Sequence, residues 1–88
     1  MNHEFENFVV LVTGSFRGNG KAILHKFLDS GAIVYGIDKN YKKNKSFENL
    51  NEIKADLSNK QELNRIFNHI KKKEKKLDIL INNAGITL

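Results

Sequence analysis

Three glycines between an apolar run and a helical pattern carry the clearest chemical signal in this chain. The run covers residues 8–12, and Gly14, Gly18 and Gly20 follow it closely. Because glycine has no Cβ, a phosphate can approach the main chain there. The N–H groups and positive dipole end of a following helix also favour an anion. The stretch therefore predicts a cradle for the phosphates of a dinucleotide, and a glycine-rich turn without a ligand is the alternative.

The spacing of the glycines distinguishes this segment from two related phosphate motifs. Residues 13–20 read TGSFRGNG. The Gly-x-Gly-x-x-Gly motif is absent, because Ile23 stands where its third glycine belongs. A Walker A motif is incomplete, because its first glycine is missing and Ala22 replaces the Ser or Thr that holds Mg²⁺. What remains is the pattern Thr-Gly-x-x-x-Gly-x-Gly.

This pattern resembles the cofactor-binding motif of the short-chain dehydrogenase/reductase family. A second match, Asn-Asn-Ala-Gly at residues 82–85, resembles the family segment that borders the cofactor and steadies the central sheet. The resemblance spans residues 8–85 and implies an NAD(P)-dependent oxidoreductase that acts on an alcohol or carbonyl. The predicted cofactor-binding residues lie in or beside such motifs: Thr13, Gly14, Ser15, Arg17, Gly18, Asn19, Gly20, Asp38, Lys39, Asp56, Leu57, Asn83, Ala84 and Gly85.

An acidic residue, Asp38, follows the predicted second strand at residues 32–37. Its carboxylate can accept hydrogen bonds from both hydroxyls of an adenosine ribose. It would also repel a 2′-phosphate, whereas Arg17 and Lys39 could pair with one. Because a phosphate beside the carboxylate must overcome like-charge repulsion, we predict NAD rather than NADP. The alternative is an ordinary Asp that caps a turn.

A second acidic residue, Asp56, precedes Leu57 after the predicted third strand. In the resembled family, an acidic residue at this point meets the adenine amino group and the next residue packs on the ring. A carboxylate can accept a hydrogen bond from an exocyclic amine, so the chemistry is sound. The alternative is a structural role at the start of the next helix, because Ser58 follows as a candidate cap.

The residues that perform hydride transfer in the resembled family are not matched in this sequence. The family uses a downstream Asn, a Ser and a Tyr-x-x-x-Lys pair, in which the Tyr is the general acid/base. Tyr41 and Lys45 have that spacing but lie in a Lys-rich segment on the adenosine side, so we reject Tyr41 as catalytic. We predict no catalytic and no metal-binding residue, since the three histidines are scattered.

The 88 residues are therefore predicted to hold the nucleotide-binding part of an oxidoreductase and to be inactive alone. A fragment, a partial reading frame or a degraded gene product is expected. A stand-alone nucleotide-binding or regulatory module, or a subunit completed by another chain, is the alternative. The DNA immediately downstream would distinguish these alternatives, because an in-frame or frameshifted continuation that encodes Tyr-x-x-x-Lys favours a fragment.

Composition limits the other classes of function. The chain has 88 residues, 40% hydrophobic and 28% charged, with no Cys and a net charge of +5. This is typical of one small globular domain, and the N-terminus predicts no signal peptide, so a cytoplasmic location is expected. No apolar run is long enough to cross a membrane. The basic runs lie near predicted element ends, where they suit helix dipoles, and we expect no nucleic-acid binding.

The elements that position these residues alternate between strand and helix. Strands are predicted at 8–12, 32–37, 51–55 and 78–81, with helices from 18 or 19 to 30 and from a Ser58–Gln61 capping box to 75. Residues 39–50 are predicted to form a loop with a short helical turn. The fold class is α/β, a partial Rossmann fold with a doubly wound parallel sheet in the order 3-2-1-4. An exposed fourth strand could mediate self-association.

Overall fold

The computed structural model describes residues 2–83 of the 88 and contains a five-stranded sheet with two helices. The elements, in chain order, are β1 (Val9–Thr13), α1 (Gly18–Asp29), β2 (Ile33–Ile37), β3 (Lys45–Phe47), β4 (Leu50–Ile53), α2 (Lys60–Glu74) and β5 (Ile79–Asn82). None of the helices within residues 2–83 is long and apolar enough to span a membrane.

The strands lie in the order β3-β4-β2-β1-β5. Four of them, β4, β2, β1 and β5, are mutually parallel, which confirms the predicted order 3-2-1-4 with the first strand inside the sheet. Parallel neighbours need a crossover, and α1 provides it between β1 and β2. Helix α2 connects β4 to β5, which lie on opposite sides of the β2–β1 pair. The α/β class and the partial Rossmann arrangement are confirmed.

The first strand of the edge hairpin, β3, was not predicted from the sequence. The segment 39–50, expected to be a loop with a helical turn, contains β3, which pairs antiparallel with β4. Phe47 lies opposite Leu50, and Ser46 Oγ donates to Asn51 Oδ1 at 2.8 Å. The three residues of β3 are all exposed, so hydrophobic periodicity could not reveal the strand.

The two faces of the sheet are covered by different helices. All five residues of β1 are buried, and successive side chains point to opposite faces of the sheet. The buried residues on the α1 side are Val10, Val12, Leu24, Ala32 and Val34. Those on the α2 side are Val9, Leu11, Tyr35, Ile37, Ala55, Ile66 and Ile70. Coverage on both faces explains why β1 reads as a continuous apolar run.

The helix ends agree with the prediction at one place and differ at another. Gly31 follows α1 with φ of +90°, the left-handed conformation that the sequence predicted for it. The predicted Ser58–Gln61 capping box is wrong. Asn59 is the N-cap of α2, and its Oδ1 accepts from the backbone N–H of Glu62 at 3.1 Å. An Asn side chain satisfies a first-turn donor as well as a Ser does.

The segment before β1 packs on the end of α1 rather than forming a purely polar leader. The backbone N–H of Phe5 donates to the carbonyl of Ser30 at 3.0 Å. Its ring meets that of Phe27 edge to face, with centroids 5.1 Å apart. Phe5 therefore adds a partly buried aromatic side chain to the core on the α1 side.

Candidate functional site

The carboxyl ends of the parallel strands meet at one edge of the sheet and border a cavity of about 540 Å³. Ligands of doubly wound folds bind at this edge, where the strand order changes direction. The strands and the segments after them supply the lining: Thr13, Gly14, Asp38, Lys39, Ala55, Asp56, Leu57, Ser58, Leu63, Phe67, Leu80 and Asn82.

The glycine-rich turn links β1 to α1 beside this cavity. Gly14 and Gly18 have φ of +67° and +63°, which is the left-handed region that favours glycine. A Cβ on Gly18 would meet nothing within 4 Å, so the backbone there is open to a ligand. A Cβ on Gly20 would instead overlap the carbonyl oxygen of Gly14. Gly20 thus allows α1 to start directly against the turn.

The N-terminus of α1 has the electrostatic character of an anion site. Its N-cap, Arg17, makes no side-chain capping hydrogen bond, and the first turn contains no acidic residue. Backbone N–H groups in such a turn, together with the positive end of the helix dipole, attract a phosphate. The exposed side chain of Asn19 lies in the same turn. The turn and helix start that the sequence predicted therefore lie together at the cavity edge.

Asp38 lines the cavity and also braces the turn around it. Its Oδ2 accepts from the backbone N–H of Phe16 at 3.1 Å. Its Oδ1 accepts from the backbone N–H and the side-chain Nδ2 of Asn40, at 2.9 and 3.0 Å. A carboxylate has about four acceptor sites. Because Asp38 already accepts three hydrogen bonds, a ribose diol that donates two more must displace the bond from the Asn40 side-chain amide. Both the turn-capping role and the ribose-binding geometry are compatible with this placement.

Asp56 also lines the cavity and is held as an anion. Hydrogen bonds from the backbone N–H of Ser58 at 3.0 Å, and then from its Oγ at 2.8 Å, lower the pKa of the Asp56 carboxyl. Leu57 lies next to it on the cavity wall, and Phe67 lines the same cavity from α2. The Asp56–Ser58 contact is also the reason that Ser58 does not cap α2.

Hydrogen bonds of Thr13 join the carboxyl ends of the neighbouring strands β1 and β5. Thr13 Oγ1 lies 3.1 Å from Asn82 Oδ1 and accepts from the backbone N–H of Asn83 at 3.0 Å. The side-chain Nδ2 of Asn83 donates to the carbonyl of Gly14 at 3.3 Å. Asn83 therefore touches the glycine-rich turn. Ala84 and Gly85, also predicted to border the cofactor, lie outside the described residues.

Tyr41 lies away from the cavity and is 7% exposed. Its hydroxyl is 2.7 Å from Ser15 Oγ, and burial raises its pKa above the ordinary value. A general base for hydride transfer needs the opposite change, toward neutral pH. Ser15, which we predicted to bind cofactor, is buried beneath the turn rather than exposed on the cavity wall.

The structure brings six of the predicted residues onto the cavity wall: Thr13, Gly14, Asp38, Lys39, Asp56 and Leu57. Of the remaining lining residues, Asn82 belongs to the motif at 82–85 that the resemblance places beside the cofactor, and the others were not assigned to the site from the sequence. Two of these others, Leu63 and Phe67, lie on the apolar stripe of α2. Such a stripe signals burial but does not distinguish a core position from a cavity wall. Within residues 2–83, no group of three or more His, Cys, Asp or Glu residues could hold a metal ion.

A parallel sheet with a glycine-rich turn at its switch point defines a Rossmann-type nucleotide-binding protein. The chain belongs to the short chain dehydrogenase family, whose model matches residues 8–88. A 3beta-hydroxysteroid dehydrogenase of Mediterraneibacter gnavus is 32% identical over 90 residues, covering 93% of this chain and 33% of that protein. A farnesol dehydrogenase of Aedes aegypti is 29% identical over 87 residues, covering 89% of this chain and 36% of that one.

Solved structures show the same likeness. A short chain dehydrogenase of Leptospira borgpetersenii with bound NAD⁺ superposes with a TM-score of 0.82 at 31% identity, covering 97% of this chain and 34% of that one. The ligand-free aldohexose dehydrogenase of Thermoplasma acidophilum superposes with a TM-score of 0.83 at 28% identity, covering 100% of this chain and 33% of that one. The chain thus spans about a third of the length of the relatives it matches.

Proposed function

We propose that this chain binds the adenosine and pyrophosphate part of NAD, and that it is the nucleotide-binding part of an oxidoreductase acting on an alcohol or carbonyl. Family membership and the position of the cavity support this function. The pyrophosphate is assigned to the start of α1, where Arg17 leaves the helix uncapped and Gly18 leaves the backbone open. NAD, when bound, supplies the hydride acceptor of the reaction.

The preference for NAD over NADP is carried by Asp38. Its carboxylate lies on the cavity wall beside the glycine-rich turn, where the ribose of a dinucleotide would lie. A 2′-phosphate at that point would be repelled by the carboxylate, although Lys39 lines the same cavity. Two relatives with solved structures support the choice: the short chain dehydrogenase of Leptospira borgpetersenii contains NAD⁺, and a 4-hydroxyisoleucine dehydrogenase contains NADH.

The adenine ring is assigned to the apolar part of the cavity. Leu57, Phe67 and Leu80 supply apolar surface there, and the ionised Asp56 supplies an acceptor for the exocyclic amine. In a dinucleotide, adenine and the pyrophosphate are joined through the adenosine ribose. The ribose between them then meets the carboxylate.

Titration with NADH and NADPH tests the cofactor preference. We expect the chain to bind NADH at least tenfold more tightly, because a single charge repulsion of about 1.4 kcal/mol changes a dissociation constant tenfold. Asp38→Ser should narrow or reverse the preference, since Arg17 and Lys39 can then engage the phosphate. Binding is measured by the change in NADH fluorescence.

Asp38→Asn is the matched control for this titration, because it removes the charge and keeps one oxygen acceptor for the turn. It should narrow the preference as Asp38→Ser does, with a smaller loss of stability in a thermal melt. Equal affinities of the unsubstituted chain for the two cofactors would refute the assignment of Asp38.

An NADH-oxidation assay with a panel of ketones and aldehydes tests the absence of catalysis in the 88 residues. We expect no turnover, because the reaction needs a proton donor beside the nicotinamide and Tyr41 is buried against Ser15 instead. Robust turnover that Tyr41→Phe abolishes would contradict this expectation. Turnover restored by adding a second polypeptide would favour a subunit completed by another chain.

A further inference from the structure

The side chain of Ser15 holds the glycine-rich turn from beneath. It is buried, and its Oγ is hydrogen-bonded to the hydroxyl of Tyr41 over 2.7 Å. Gly36, in β2, makes room for this contact, because a Cβ there would overlap Ser15 Oγ and lie 2.6 Å from Leu24 Cδ1. The Ser15–Tyr41 bond therefore fills a space that β2 leaves open under the turn.

A second contact joins the same two segments at the surface. The ring of Phe16 covers Tyr41 edge to face, with centroids 5.4 Å apart. The backbone N–H of Phe16 donates to Oδ2 of Asp38 at 3.1 Å. The turn after β1 and the segment after β2 are thus tied three times: through a buried hydroxyl pair, through the ring contact and through the carboxylate on the cavity wall.

We infer that Tyr41 is a positioning residue for the dinucleotide, an inference that rests on the proposed NAD-binding function. Through Ser15 it fixes the turn at the start of α1 relative to Asp38, so that the phosphate and ribose contacts are in place before the ligand arrives. A site that is ordered in advance loses less conformational entropy on binding. Tyr41 acts through Ser15 and Phe16, since it does not line the cavity itself.

The test compares Tyr41→Phe, Ser15→Ala and the double variant in the 88-residue chain. Affinities for ADP-ribose are measured by calorimetry, and unfolding is followed by thermal melts. Each single variant should weaken binding about three- to tenfold, in the range of one hydrogen bond. The double variant should bind no more weakly than either single one, because both changes remove the same bond.

Tyr35→Phe is the matched control. Tyr35 is also buried, and its hydroxyl donates to Glu74 Oε2 at 2.6 Å, at the far end of α2 from the cavity. This control should lower the melting temperature about as much as Tyr41→Phe does and leave the affinity for ADP-ribose unchanged. If the role of Tyr41 were purely structural, Tyr41→Phe and Tyr35→Phe would have the same effect on the melting temperature and on the affinity for ADP-ribose.

The outcomes separate this inference from the proposed function. If the unsubstituted chain binds neither ADP-ribose nor NADH, the proposed function fails and the inference fails with it. If it binds and Tyr41→Phe has the same affinity, only the inference is overturned. If neither Tyr41→Phe nor Ser15→Ala melts cooperatively while Tyr35→Phe does, the bond is needed for folding itself, and the positioning role is likewise overturned.

Discussion

Two glycines of the turn serve different purposes at the level of single residues. Gly18 adopts a positive φ with open space around it, whereas Gly20 allows close packing of backbone on backbone. The sequence places both in one motif and does not separate these roles. A side chain at Gly20 would overlap Gly14 and lie 2.8 Å from Nδ2 of Asn83, so it would disturb the contact between the turn and the end of β5.

Replacing Gly20 by Ala should destabilise the fold. The added methyl group meets a backbone carbonyl that cannot turn aside, and overpacking of this kind costs about 1–3 kcal/mol. Urea unfolding followed by circular dichroism measures the loss. Gly18→Asn is the control, because Asn tolerates a positive φ and the space around Gly18 is open. An equal loss of stability in both variants would show that packing against Gly14 is not the reason.

Helix α2 shows how a cap is chosen among neighbouring residues of similar type. Ser58 and Asn59 both have side chains suited to an N-cap, and the sequence favoured Ser58 because Gln61 follows at the capping-box spacing. The structure uses Asn59, while the hydroxyl of Ser58 is bonded to Asp56 Oδ1. Ser58 therefore orders the carboxylate of Asp56 on the cavity wall, and the N-cap lies one residue later than the sequence predicted.

Asn59→Ala should cost about 1 kcal/mol of stability, the usual effect of losing an N-cap side chain. Ser58→Ala is the matched comparison and should cost clearly less, because its hydroxyl bonds an exposed carboxylate and no helix donor. The free energies of unfolding come from urea titrations of both variants. If Ser58→Ala is the more damaging change, then Ser58 is the effective cap in solution.

The two edges of the whole sheet differ in their capacity to pair with another chain. In the described part of the chain the edges are β3 and β5. β3 has three residues and begins with Lys45, and both features protect an edge strand. β5 has four residues with the apolar run Ile79–Ile81, and Leu80 is 48% exposed. The edge formed by β5 is therefore the one suited to self-association.

The 88-residue chain should associate through β5 as its concentration rises. Leu80→Lys should shift it toward monomers in sedimentation velocity, because a lysine on an edge strand disfavours pairing and removes exposed apolar surface. Phe47→Lys, on β3, is the control, since Phe47 is even more exposed and should have little effect. Monomers at every concentration, or an equal response to both substitutions, would contradict this prediction.

The sequence by itself determined the features that depend on local pattern. The apolar run before Gly14 and the stripes of the two helices predict the α/β alternation, because burial repeats with the period of each element. The doubly wound arrangement then gave the parallel order with β1 inside the sheet. Asp38 and Asp56 could be placed at the site because the residues after parallel strands meet at one edge.

Only the tertiary structure decided the features that join distant or exposed residues. Strand β3 has no buried side chain that could reveal it, and Phe5 reaches the core by packing on Phe27, which lies far along the chain. Ser15 and Tyr41 are 26 positions apart, and their contact exists because Gly36 leaves room between them. Such contacts follow from the geometry of packed elements, which no local period in the sequence encodes.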